Sequence, residues 1–182
     1  HGANGYLLDQ FTRDGTNKRS DAYGGGVEQR LRFPLEVAAA VADVWGADRV
    51  GYRISPMGQF NDMADSDPVR TFGRLAEELG RMGLAYIHVV EAFGGQPRDD
   101  ATNDAVRSAF SQVYIANGGY TADLARQSIL SGKADAVAFG VPFIANPDLP
   151  ERFRREAELN AADEATFYGG DAKGYTDYPS LA

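Results

Sequence analysis

The chain opens on His1-Gly2-Ala3-Asn4-Gly5-Tyr6, an imidazole, an amide and a phenol threaded with two glycines. These side chains donate and accept hydrogen bonds, and glycine lets the backbone turn tightly enough to converge them on one point. Such a cluster suits polarising a substrate oxygen and moving a proton; the competing reading is an ordinary polar loop. Arg53 is a second candidate, in the run RVGYRI at residues 49–54. Alternation puts its side chain on the face of Gly51, opposite Val50, Tyr52 and Ile54. If that apolar trio packs under helices, Arg53 points inward and needs a partner, either an internal ion pair or a bound anion or electron-rich ring. Asn117-Gly118-Gly119 and Phe139-Gly140 each follow a predicted strand. They either bring backbone N–H groups close to a phosphate or are plain turns.

The elements that must position these residues are legible from periodicity. Over residues 27–45, Leu31, Leu35, Ala38, Val41 and Trp45 recur at helical spacing, with Gly46 as a stop. Pro34 inside that pattern marks the first turn or kinks the helix. A strand is predicted at 49–54 and a helix at 69–82 ended by Gly83. A strand buried on both faces follows at 85–90, then a long Gly- and Asp-rich loop at 91–107. Next come a strand at 113–116, a helix at 121–130 capped by Thr121, a strand at 134–138 and a helical stretch at 146–158. Residues 17–26 read as a loop, with Arg19, Asp21, Arg30 and Arg32 expected as one polar network beneath it. Asn146, Pro147 and Asp148 read as a turn and cap.

Strands alternating with helices imply parallel β-α units and right-handed crossovers. Four strands standing alone would leave two open sheet edges, whereas eight such units close into a barrel at about 250 residues. The expected fold class is therefore α/β, a (β/α)8 TIM barrel. Residues 1–182 supply roughly its last four units, as the C-terminal half of a single domain.

Composition narrows the function. The sequence has 18 Lys and Arg against 26 Asp and Glu, a net charge of -8. That balance leaves no basic footprint for nucleic acid and no polybasic anchor for a membrane, so an anionic ligand must be gripped locally. Absent cysteine excludes disulfides and thiolate metal sites and is compatible with a reducing cytoplasm. The two histidines, His1 and His88, lie far apart and make no metal-ligand spacing, and His88 reads as a satisfied core residue. No apolar run approaches the roughly 18 residues of a membrane span, and no signal-peptide pattern precedes the first residue. A cytoplasmic protein acting on a small molecule is expected.

HGANGYLLDQF at 1–11, NKRSDAYGG at 17–25, GYRISP at 51–56, FGVPFIANPDLPERF at 139–153 and GYTDYP at 174–179 stand in one order along the chain. Together they resemble the old yellow enzyme family, the FMN-dependent NADH:flavin oxidoreductases and ene-reductases that include N-ethylmaleimide reductase. The resemblance implies FMN as cofactor, NADH or NADPH as reductant, and activated alkenes as substrates, namely α,β-unsaturated carbonyls and nitro compounds. His1 and Asn4 match the pair that hydrogen-bonds the substrate oxygen, a donor role worth roughly 2.7–4 kcal/mol when charge develops there. Tyr6 matches the acid that protonates the α-carbon. Arg53 matches the arginine beside the pyrimidine edge of the flavin, with His1 also near the cofactor. Asn117, Gly118, Gly119, Phe139, Gly140 and Val141 correspond to the phosphate cradle. Phe60 and Tyr175 resemble aromatic residues on the substrate side, or are core or lid packing.

Two departures carry expectations of their own. The residue after Gly140 is usually arginine in this family, and Val141 in its place predicts weaker FMN binding. The family's first four strands are absent, which predicts an N-terminal half in the same or a companion chain. The alternatives are a non-catalytic half-barrel fragment or interaction module, and a flavin-free phosphate-binding barrel enzyme. No predicted strand carries a lysine suited to Schiff-base chemistry.

Overall fold

In the computed structural model, which describes residues 1–92 and 98–181, the longest helical pattern forms α2 (Val27–Trp45), preceded by the short helix α1 (Leu7–Thr12). Leu31 and Ala38 supply the buried stripe of α2, and Gly46, at φ 87°, ends it in a conformation costly for any other residue. Pro34 does not mark the first turn, because the helix begins at Val27 and continues through it. Lacking an N–H, Pro34 leaves the carbonyl of Arg30 without its helical donor.

The chain forms two units, His1–Val137 and Ala138–Ala182. In the first, β1 (Gly51–Ile54), α3 (Pro68–Arg81), β2 (Tyr86–Val90), α4 (Asp100–Ala109), β3 (Val113–Asn117) and α5 (Ala122–Leu130) alternate. With β4 (Ala136–Ala138) they make a sheet of order β1-β2-β3-β4. β1 pairs in parallel with β2, and β2 with β3, setting Arg53 beside His88 and His88 beside Ile115. Consecutive strands as neighbours in one direction is the pattern that β-α units impose.

The core lies between this sheet and the helices. Tyr52, Ile54, Ile87, Val89, Tyr114 and Ala116 meet Phe72, Leu75, Leu79, Val106 and Leu31. Each fully buried large apolar side chain contributes about 1.5–3 kcal/mol. Asp67 caps α3 by accepting from the Arg70 N–H at 3.1 Å, and Thr121 caps α5 by accepting from the Leu124 N–H at 3.3 Å.

Several expectations change. The stretch 91–107 is not loop throughout: α4 occupies its second half, and residues 93–97 lie outside the described part. β2 is buried unevenly: the helices cover Ile87 and Val89, while on the other face Val90 is buried, His88 half-buried and Tyr86 exposed. The four polar residues near the first loop do not form one network. Arg19 pairs with Asp21, Arg32 stacks on Tyr23, and the buried Arg30 donates to the Thr12 and Gly25 carbonyls and to Thr71.

The second unit holds two short helices, α6 (Val141–Ala145) and α7 (Leu149–Arg155). The helix predicted at 146–158 is shorter because Asn146 is extended and Glu156, at φ 53°, turns the chain left-handed. Buried Asn146 donates to the Pro142 carbonyl and accepts from the Asn160 N–H, both at 2.8 Å. Asp148 makes no side-chain cap; its carboxylate accepts instead from Arg152 and from the Leu181 N–H. Among the described residues, no helix is long and apolar enough to cross a membrane.

Candidate active site

Parallel strands put their C-terminal ends at one edge, where side chains of neighbouring strands converge. The chain's first residues lie there. Gly2 bridges in parallel to Ile54, its N–H donating to the Arg53 carbonyl at 2.9 Å, so one residue of strand pairing brings His1 to the end of β1. A Cβ on Gly2 would collide with the Tyr52 ring, which explains the glycine.

The backbone then turns through two left-handed residues, Asn4 at φ 57° and Gly5 at φ 70°, and Tyr6 leads into α1. The turn brings the His1 and Tyr6 rings together, with centroids 5.5 Å apart and Tyr6 53% exposed. Asn4 lies between them in sequence. Its Oδ1 is buried without a partner, and among the described residues its side-chain amide makes no hydrogen bond. Phe60, half-exposed, has its backbone against Gly5, and Asn61 Nδ2 donates to the Asn4 carbonyl at 3.2 Å. His1, Asn4, Tyr6 and Phe60 thus share one locality.

Beneath the turn lie residues that periodicity does not single out. Arg13 is fully buried, its Nε donating to Asp9 Oδ1 at 2.8 Å and its Nη1 to the Gly58 carbonyl at 2.9 Å. Its Nη2 donates to the Ser55 carbonyl. Burial raises the Asp9 pKa above the ordinary carboxylate value, and the Arg13 charge opposes that rise.

Arg53 points to the face opposite Tyr52 and Ile54, as alternation requires. Among the described residues no ion pair involves it; its Nη2 reaches Asn117 Oδ1 at 3.4 Å. Beside it, His88 is not a satisfied core histidine. Its Nε2 is buried without a partner, and burial, with the Arg53 charge second, pushes its pKa down to about 4. At neutral pH the pair therefore carries one positive charge, and that charge has no counter-ion in the described chain.

The ends of β2 and β3 are tied together by Glu91. It accepts from the Tyr114 hydroxyl at 2.8 Å and the Tyr120 hydroxyl at 2.6 Å. Burial, then the Glu91 hydrogen bond, pushes the Tyr120 pKa up to about 12. Arg98 stacks 3.8 Å from the Tyr120 ring centroid and donates to the Gly118 carbonyl at 2.8 Å, fixing the turn after β3. Gly118 and Gly119 both have positive φ. A Cβ on Gly118 would strike the Ala92 backbone, so its close approach is to the chain itself, whereas Gly119 faces open space. A cavity of about 340 Å³ lies behind this cluster, lined by Glu91, Asn103, Arg107 and Tyr120 among others, and His1, Asn4, Tyr6 and Arg53 do not border it.

In the second unit Gly140 precedes α6 with open space around it, Val141 is exposed, and Phe139 packs edge-on against Phe153 at 5.0 Å. Tyr175 is exposed and borders a cleft of about 220 Å³ with Phe143, Ile144 and Tyr178. Among the described residues, no group of three or more His, Asp or Glu could hold a metal ion.

Residues 1–160 match the NADH:flavin oxidoreductase / NADH oxidase family. The 12-oxophytodienoate reductase 2 of Arabidopsis thaliana is 42% identical over 186 residues, covering 100% of this chain and 50% of that protein. The structure of morphinone reductase in complex with tetrahydroNAD is 48% identical with a TM-score of 0.94, covering 100% of this chain and 49% of its own. The old yellow enzyme from Trypanosoma cruzi is 41% identical with a TM-score of 0.94, and again 49% of that chain is covered. The chain spans about half the length of the curated relatives it matches, and its β-α units are those of half a (β/α)8 barrel.

Proposed function

The chain belongs to the NADH:flavin oxidoreductase / NADH oxidase family, and from that membership we propose that it supplies the C-terminal half of a single-barrel, FMN-dependent ene-reductase of the old yellow enzyme type. The observation that carries the reading is Arg53. A half-buried guanidinium without a counter-ion among the described residues, next to a histidine held neutral, is a site kept for an electron-rich partner. The residues present fit FMN: Arg53 would face the electron-rich edge of the ring, and the open backbone at Gly119 would admit the phosphate. When bound, FMN supplies the hydride, drawn from NADH or NADPH.

This chain's own residues do the rest. His1 and the Asn4 amide N–H donate to the carbonyl or nitro oxygen of an activated alkene and stabilise the negative charge that develops on it. Tyr6, exposed and in ring contact with His1, gives its phenolic proton to the α-carbon. Phe60, beside the Asn4–Tyr6 turn, supplies apolar surface for the substrate. At the level of reaction class, the reading is supported by relatives that are reductases, one of them in complex with tetrahydroNAD.

The test is Tyr6→Phe in the FMN-loaded, full-length protein, with the two half-reactions followed separately. Alkene reduction should slow by about 10² or more, the usual worth of a positioned acid, while flavin reduction by NADPH stays within about twofold. Equal slowing of both half-reactions overturns the assignment of Tyr6.

A further inference from the structure

We propose that Ser55, Asp9 and Gln10, locked by the buried Arg13, are the positioning residues of the active site, holding the Asn4–Tyr6 turn in the geometry its side chains need. The inference rests on the reading of Asn4 and Tyr6 given above. Asn4 and Gly5 are consecutive left-handed residues; asparagine tolerates that region better than other non-glycine residues, but two such residues in succession keep one geometry only where their surroundings fix it.

The surroundings do so atom by atom. The Asn4 N–H donates to Ser55 Oγ at 2.7 Å, and the Gly5 N–H to Asp9 Oδ2 at 2.9 Å. The Tyr6 N–H donates to the Ala3 carbonyl at 3.3 Å. On the acceptor side, the Asn4 carbonyl takes Asn61 Nδ2, the Gly5 carbonyl takes Gln10 Nε2 at 2.8 Å, and the Tyr6 carbonyl takes the Gln10 N–H at 2.9 Å. Every polar backbone atom from Asn4 to Tyr6 therefore has a named partner.

Arg13 links the two halves of this frame. It holds Asp9 on α1 with one edge of its guanidinium and the Ser55 and Gly58 carbonyls, at the exit of β1, with the other. The Phe72 ring lies 5.2 Å below it. A buried ion pair is weak evidence for stability, because apolar residues of the same volume often hold a core as well. What apolar residues cannot do is accept the Asn4 and Gly5 N–H groups at fixed points relative to β1, the strand that also carries Arg53. The frame ties the substrate-polarising amide and the Tyr6 acid to the strand that sets the position of Arg53.

The experiment uses the FMN-loaded full-length protein. Ser55→Ala removes the acceptor for the Asn4 N–H, together with the hydroxyl's contacts to Asp9 and, at 3.5 Å, to Arg13 Nη2, but leaves the Ser55 carbonyl that Arg13 also grips in place. It should slow alkene reduction about tenfold, an intermediate loss for a sub-ångström displacement, with flavin reduction and FMN content unchanged. Ser55→Thr, which keeps the hydroxyl, should restore most of the rate. Acting through Asn4, Ser55→Ala should add less than about twofold in an Asn4→Ala background, where independent sites would multiply. Gln10 is exposed, so Gln10→Met folds whatever becomes of the core, and it should give a smaller loss confined to the same half-reaction. Unchanged alkene reduction in Ser55→Ala and Gln10→Met, or full multiplicativity with Asn4→Ala, overturns the positioning role. An unsubstituted protein that takes electrons from NADPH but passes none to any activated alkene overturns the underlying reading instead.

Discussion

Arg53 and His88 are register partners on adjacent strands, and two cations at that spacing, partly shielded from water, would repel. The conflict is resolved by His88 staying neutral, its pKa pushed down to about 4 from the ordinary 6.5 by burial first and Arg53 second. The consequence for stability has a definite sign. The unfolded chain protonates His88 near pH 6.5 while the folded chain resists until about pH 4, so stability present above 6.5 is lost as pH falls through that window. At about 1.4 kcal/mol per unit, discounted for partial solvent access, the loss is on the order of 2 kcal/mol. Thermal unfolding of His88→Phe should therefore depend less on pH between 6.5 and 4 than that of the unsubstituted protein. Parallel curves for the two proteins would mean that His88 titrates as it does in water.

The turn between β3 and α5 shows how an element constrains substitution. Gly118 and Gly119 share positive φ but differ in what surrounds them: the Ala92 backbone fills the space beside one and nothing fills it beside the other. Gly119→Ala should cost about 1–2 kcal/mol of backbone strain, whereas Gly118→Ala adds a steric collision that must displace the end of β2 and should cost more than about 3 kcal/mol. Denaturant titration of both variants ranks them, and equal destabilisation would contradict the packing. Such a distinction is invisible in the sequence, where the two glycines look alike. Long amphipathic elements are another matter: α2 and α3 are legible because an apolar stripe and a terminal glycine mark each one. The helix α4 escapes because its buried face is Thr102, Asn103 and Val106, largely polar, and α1 escapes because it spans little more than one turn. At the candidate site, residue types single out His1, Asn4 and Tyr6, and alternation orients Arg53. The frame of Asp9, Arg13 and Ser55 stays hidden, since Arg13 and Ser55 meet only through folding across 42 residues of chain.

On the scale of the whole molecule, a net charge of -8 means that a phosphorylated cofactor approaches an acidic chain and depends on a few local donors for its grip. Val141 is exposed at the start of α6, and the resemblance implies an arginine at this position; under the proposed reading backbone N–H groups would then hold the phosphate without a full charge. Val141→Arg should tighten FMN binding in the full-length protein about tenfold, the worth of one charge-assisted contact of roughly 1.5 kcal/mol. Because this gain is electrostatic, it should shrink as salt rises and the screening length falls from about 10 Å at 0.1 M to about 3 Å at 1 M. Equilibrium dialysis of FMN against both proteins at the two salt concentrations separates the possibilities. Equal dissociation constants at low salt would show that the backbone cradle suffices, and a gain indifferent to salt would assign it to packing of the longer side chain.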